Sequence, residues 1–486
     1  MNDIARDDDL PRRVLPADDR AEMAVAPDYA ALAARAARDG ARFWEEIARE
    51  LVWDTNPTTA RDERETTPIW FADGRGNIAI NCLDRHLYES RRDKLALIWH
   101  GAAGEERRLT YAELHRLSCK FASGLKELGV GGGTVVTLLL PPSPEGIAAL
   151  LACARLGAIA NPAAFGAGAA GLKAQLQATG ARVLIAALDG GADNRATLEG
   201  ALNGQPNPPR LIVWRRGAQE ARPLRADTID LATLLKGASP RCEPRIVASG
   251  EPFLTLPADA GAGMNAQFAH GGYAVGVAYI TRIAYDLKDE DRFCPLAPGD
   301  WLAARPGLIL GPLLNGATIV LHEAPPAPAA IWAALARDGV TTLLAPTATL
   351  ATLAAAPIPA ADESAALRLV IGDGRALAPA AWWSLYRDQL RGRAHLCANW
   401  WEPALGAPVV GTLPSMEARP GWLGKPLPGI VATVVDPEGA AVQTGAAGHL
   451  RLAGSWPHLA QGIALSAVAP AASSDDDGYL TLDAPV

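Results

Sequence analysis

The stretch TVVTLLLPPSPEGIAALLACARL, residues 134–156, decides the fold class of this chain. Residues 134–140 are a short run of β-branched and aliphatic side chains and read as a strand, whereas residues 145–156 stay apolar past strand length and read as a helix. The same alternation recurs on both sides. LALIW (95–99), RVLIAA (182–187), TIVLHE (318–323), TTLLAP (341–346) and LRLVIG (367–372) read as further strands with helical stretches between them. At TYAEL, Glu113 follows Thr110 by three residues, the pattern of a capping box, so a helix opens there. Strands separated in this way by helices predict an α/β fold, with two mostly parallel sheets covered by helices.

Around this body the pattern changes twice. Residues 1–26 are charged and proline-punctuated and are expected to be a loose tail, and residues 27–65 form a helical extension with Leu32, Ala36, Phe43, Ile47 and Leu51 on one side. The body then divides into a first α/β subdomain, 66–250, and a second, 251–405. From about Gly406 the helical period stops. GIVATVVD (429–436) and GHLRLAG (448–454) alternate with Gly and Pro turns, which predicts a β-rich subdomain over 406–486, ending in a loop that feeds one last strand at GYLTL.

Composition narrows the function classes. With 49% hydrophobic and 20% charged residues the chain reads as a soluble globular protein, and its net charge of −8 argues against a nucleic-acid partner. Cys82, Cys119, Cys153, Cys242, Cys294 and Cys397 lie far apart without metal-ligand spacing, as expected for reduced thiols in the cytoplasm. The acidic opening MNDIARDDDLPRRVL lacks the apolar core of a signal peptide. The best apolar stretch, 147–160, is interrupted by Arg155 and falls short of the ~18 residues of a membrane span.

FWEEIARELVW (43–53), NIAINCLDRHL (77–87), RRLTYAELHR (107–116), LLACARLGAIANPAAFG (150–166), GPLLNGATIVLHE (311–323), APTA (345–348), the pair Trp400 and Trp401, and GSWP (454–457) occur together and in order. In these segments the chain resembles the acetyl-CoA synthetases, members of the adenylate-forming acyl-CoA synthetases. The resemblance implies the large N-terminal domain of those enzymes. It also implies a reaction in which acetate and ATP form an acyl-adenylate and pyrophosphate, and the thiol of coenzyme A then displaces AMP. Such chemistry needs a cradle for phosphate, a magnesium ligand and a ribose anchor.

Compared with that pattern, this sequence departs at several positions. The family phosphate loop is similar to YTSGSTGKPKG; here PADAGAGMNA (257–266) keeps glycines at Gly261 and Gly263, carries no hydroxyl or lysine, and adds Asp259. The family GEP becomes Gly374, Arg375, Ala376, and DTWWQTE becomes Ala398, Asn399, Trp400, Trp401, Glu402, Pro403, Ala404. The carboxylate that helps hold magnesium is thus replaced at Ala404, and Glu402 is a substitute only if the stretch is extended, so that both residues share a face. Residues 464–474 contain no carboxylate where the family has its ribose-binding aspartate, although DDDGYLT (475–481) survives, and the arginine expected next falls at Pro485. The sequence stops about where the family hinge begins, so the mobile C-terminal domain with its adenylating lysine is expected to be absent. For the acyl pocket the resemblance assigns Trp301, Leu302, Ala303, Asp373 and Trp401, and for coenzyme A it keeps Arg195 alone, in GGADNR (190–195).

No local spacing gives the eight histidines a nucleophile or metal partner, and the run Asp475, Asp476, Asp477 reads as a solvated turn, so no metal site is expected. The expected function is an acetyl-CoA synthetase-like protein with impaired or lost catalysis. Two other readings stand beside it: an active short-chain acyl-CoA ligase with a non-standard site or a domain supplied in trans, and a non-catalytic nucleotide, coenzyme A or protein-binding subunit. No cofactor is certain; Mg-ATP and coenzyme A follow if the family activity survives. Expected partners are ATP or AMP, coenzyme A, acetate, and a protein partner or a complete synthetase.

Overall fold

Strand Val135–Leu139, from the stretch that decides the fold class, lies at the centre of a seven-stranded sheet, between Ile159–Pro162 and Val183–Asp189 and parallel to both. This computed structural model describes residues 11–61, 69–88, 90–189, 192–216, 223–256, 265–296, 305–357, 366–463, 465–468 and 470–482. Helix Pro144–Leu156 is buried along its whole length, and Ser143 caps it by accepting the N–H of Gly146 at 3.1 Å. Arg155, the charge that interrupts this apolar run, is itself buried, and its guanidinium binds Asp84 with two contacts of 2.7 Å. The capping box at Thr110 is present, with Glu113 accepting the Thr110 N–H at 2.8 Å.

A second sheet of nine strands holds the other expected strands. Its parallel centre runs His395–Trp400, Leu369–Asp373, Thr342–Pro346, Arg292–Pro295, Thr318–His322 and Leu95–His100. The fold is α/β. The strands do not sort by position along the chain: Leu95–His100 and Glu106–Thr110 join the nine-stranded sheet, while Pro252–Leu256 and Ala266–Ala269 complete the seven-stranded one. Pairing partners, not sequence neighbourhood, decide where an edge is satisfied.

The N-terminal extension is two helices, Tyr29–Arg38 and Gly40–Ala48, rather than one continuous run. Asp39 breaks it, because its carboxylate accepts the N–H of Arg42 and starts a new helix. Phe43 and Trp44 dock edge-on to Tyr279, with ring centroids 5.3 and 5.6 Å apart. Ahead of these helices, the N–H of Val25 donates to Asp286 at 2.6 Å. The buried carboxylates of Asp286 and Asp291 converge on Arg368, which bonds both, while Thr341 donates to Asp291 at 2.7 Å.

Toward the C-terminus an antiparallel sheet of Val431–Val435, Gly448–Ala453, Ala471–Ser474 and Leu480–Leu482 forms the β-rich part. Residues 471–474, read from sequence as loop, are a strand because their backbone pairs on both sides and the small side chain of Ala472 fits the core. Asp475 and Asp477 turn the chain and are tied down by the guanidinium of Arg419. At the edge of the nine-stranded sheet Gly424 has φ 127°, and a Cβ there would lie 2.2 Å from the carbonyl carbon of Gly411. Gly424→Ala is therefore expected to cost about 1–3 kcal/mol of stability, read as a lower urea midpoint. No helix among the described residues is long and apolar enough to cross a membrane.

Candidate functional site

Two neighbouring strands carry most of the site. Leu369–Asp373 and His395–Trp400 pair in parallel with Asp373 opposite Asn399, so the residues that follow each strand emerge together at the carboxyl edge of the sheet. That edge is where open α/β sheets bind ligands. Gly374 leaves its strand with φ 112°, a conformation other residues rarely adopt, and its N–H donates to the carbonyl of Asn399 at 2.9 Å. Thr347, the threonine of APTA, fixes the same turn by donating to the carbonyl of Arg375 at 2.5 Å.

Trp401 forms an aromatic floor. It is fully buried, and its indole N–H donates to Asp373 at 3.1 Å. The guanidinium of Arg305 stands 4.7 Å from the centre of the indole ring and 3.2 Å from the Asp373 carboxylate. Burial raises the Asp373 carboxyl above its ordinary range, against the opposing pull of Arg305 and the Trp401 N–H. A Cβ at Gly307 would meet the Gly406 carbonyl oxygen at 3.1 Å, closer than most Cβ contacts, while Trp401 at 3.6 Å would be in ordinary contact. The floor is thus closed by an internal ion pair lying across an indole.

On the other side of Trp401 the chain turns at once. Pro403–Leu405 is a 3-10 turn, so the extended alternation that would bring Glu402 beside position 404 is broken. The methyl of Ala404 packs against the core, and its carbonyl accepts the N–H of Ala460 at 3.1 Å. Asn399 is buried at 2% exposure, and both of its amide atoms lack a hydrogen-bond partner among the described residues.

Of the residues the sequence nominates, the structure brings together Asp373, Gly374, Arg375, Ala376, Asn399, Trp400, Trp401 and Glu402 at this edge. Arg195 stands apart, on helix Ala192–Leu202 of the seven-stranded sheet, where it pairs with Glu199 at 3.3 Å. Gly261 and Gly263, and also Trp301, Leu302 and Ala303, lie outside the described residues; the strands that flank 257–264 pair antiparallel, with Leu256 opposite Ala266. Sequence reasoning missed Arg305. Its only signal was a charge four residues beyond Trp301 in a segment otherwise poor in polar groups.

Residues gathered in this way where paired parallel strands end, on two helix-covered sheets, are the arrangement in which open α/β folds bind their ligands. Residues 83–244 and 266–463 match the model of the AMP-binding enzymes, and residues 29–82 match that of the acetyl-coenzyme A synthetase N-terminus. The chain is 33% identical over 470 residues to an acetyl-coenzyme A synthetase of Streptomyces avermitilis, covering 93% of this chain and 71% of that protein. It is 32% identical over 452 residues to that of Chromobacterium violaceum (90% and 69%) and 34% identical over 456 residues to that of Thiobacillus denitrificans (90% and 69%). The chain belongs to the acetyl-coenzyme A synthetase family of AMP-binding enzymes.

Proposed function

We propose that this chain is an acetyl-CoA synthetase-like protein that has lost acyl-adenylate formation while keeping the capacity to bind a ligand at this edge of the sheet. The observation that carries this reading is Ala404. At the position that the resemblance assigns to a magnesium-binding glutamate, a methyl group faces the core and offers no ligand atom. The side chains present do not fit the metal. Two features support the same reading: the stretch 257–266 has neither hydroxyl nor lysine for a triphosphate, and Asp373 already neutralises the Arg305 guanidinium over Trp401. One missing donor of transition-state charge lowers a rate by roughly 10²–10³-fold, and several are missing together.

With Mg-ATP and coenzyme A, purified protein is expected to release no acetate-dependent pyrophosphate above background. Release at a rate ordinary for an enzyme, on the order of 1 s⁻¹ or more, would overturn the proposal.

Asn399 favours retained binding. A buried amide with neither end satisfied costs about 1–3 kcal/mol, and a ligand that both donates and accepts at this edge would recover it. ATP, AMP, coenzyme A and acetate are the ligands to titrate by thermal shift. A ligand at 100 times its dissociation constant adds about 2.7 kcal/mol of stability.

A further inference from the structure

Strands Leu95–His100 and Thr318–His322 run parallel with His100 opposite His322, so two imidazoles emerge side by side where both strands end. Their rings stack at 4.9 Å and 21°. Asp338, the residue that ends helix Ile331–Arg337, is fully buried and reaches His100 Nε2 with Oδ2 at 2.8 Å. One ligand atom from each of the three residues lies within 4.8 Å of the other two. Two polar atoms of the cluster, His322 Nε2 and Asp338 Oδ1, are buried without a hydrogen-bond partner among the described residues. Left bare, such atoms are costly, and neither lies among the residues gathered around Trp401.

The geometry points to a binding site for a divalent transition-metal ion, of the zinc type, held by His100, His322 and Asp338. Two imidazoles and a carboxylate are a nitrogen–oxygen set that suits such ions, and three protein ligands leave one position for water. Bonds of about 2.0–2.2 Å place tetrahedral donors roughly 3.3 Å apart. Side-chain rotation adjusts the remaining spacing, because among the described residues no backbone hydrogen bond depends on these three side chains.

Positive charge nearby opposes the ion. Arg337 Nη2 lies 3.3 Å from Asp338 Oδ2 and 3.2 Å from His100 Nε2, and Arg108 lies 3.7 Å from Asp338 Oδ1. Their side chains are 54% and 45% exposed, so both can turn into water, and Glu106 already holds Arg108 at 2.7 Å. Neither arginine satisfies His322 Nε2. That atom is the cluster's distinguishing feature.

The test uses the full chain stripped with a chelator and titrated with Zn²⁺ against a chromogenic competitor, and with Co²⁺ for its visible d–d bands. One ion per chain is expected, with the intense bands of a low-coordinate site. His322→Phe keeps the ring volume and should fold with the melting temperature of the metal-free chain, while weakening binding about 10-fold or more; His100→Gln should do the same. Failure to take up one equivalent overturns the proposal. So does uptake that survives both substitutions unchanged, since the ion would then sit elsewhere. Uptake is read without any turnover, so this result is independent of whether acetate is adenylated.

Discussion

Arg368→Met is expected to lower folding stability by about 3–5 kcal/mol, enough to bring a protein of ordinary stability near its threshold. One guanidinium serves two buried carboxylates here, donating from Nε to Asp291 at 2.9 Å and also bonding Asp286. Removing it takes from two buried carboxylates the counter-ion they share and leaves, among the described residues, only Lys288, 3.5 Å from Asp286, as a nearby positive charge, which costs more than the pairs themselves contribute. The damage would spread, because Asp286 also accepts the N–H of Val25 and so anchors the segment ahead of the N-terminal helices. The triple variant Arg368→Met, Asp286→Asn, Asp291→Asn removes the charges together and should recover part of the loss. Urea midpoints of the wild type, single and triple variants decide the matter; a single variant as stable as wild type would refute the argument.

Acid should unfold this protein above the usual carboxylate range. Burial holds His86, His270 and His458 down to about 3, and His395 down to about 4, from 6.5. Burial outweighs the Leu313 and Met416 carbonyls that bond His86 and His395 and would favour the charged ring, while His270 accepts the N–H of Ile78. His458 sits against Trp44 and Trp456 with neither ring nitrogen satisfied among the described residues. Between 6.5 and these folded values the unfolded chain binds more protons, so stability falls as pH falls. At about 1.4 kcal/mol per histidine for each pH unit, four acting together lose on the order of 8 kcal/mol by pH 5.

His115 has the opposite sign. Burial pushes it down, but the bond to Asp84 prevails and raises it to about 9, so its contribution is complete below 6.5 and fades as pH rises toward 9. Melting temperature should therefore peak near neutrality and fall steeply toward pH 5. His458→Phe should flatten the acid side, and a melting temperature constant from pH 7 to 5 would contradict the reading.

The fold was legible where one element dictates its own form. The run 134–156 and the Thr110 capping box were read from local period and spacing, and both stand in the structure. Asp39 was not read as a break, because an aspartate inside a helical period differs from a cap only in what its carboxylate accepts. Family motifs located Asp373 and Trp401, but Arg305 is defined by a contact across 96 residues that no local pattern encodes. The histidine cluster escaped for the same reason: its ligands come from three separate elements, and only strand register brings two of them together.

The interleaving of strands between the two sheets also governs birth on the ribosome. Leu95–His100 cannot pair with Thr318–His322 until about 220 more residues have been made, which at roughly 5–20 residues per second is on the order of 10–45 s. Through that interval a strand of Leu, Ile and Trp has Glu106–Thr110 on one edge and nothing on the other. The nascent chain is thus most prone to aggregate, and most dependent on chaperones, in the middle of its synthesis.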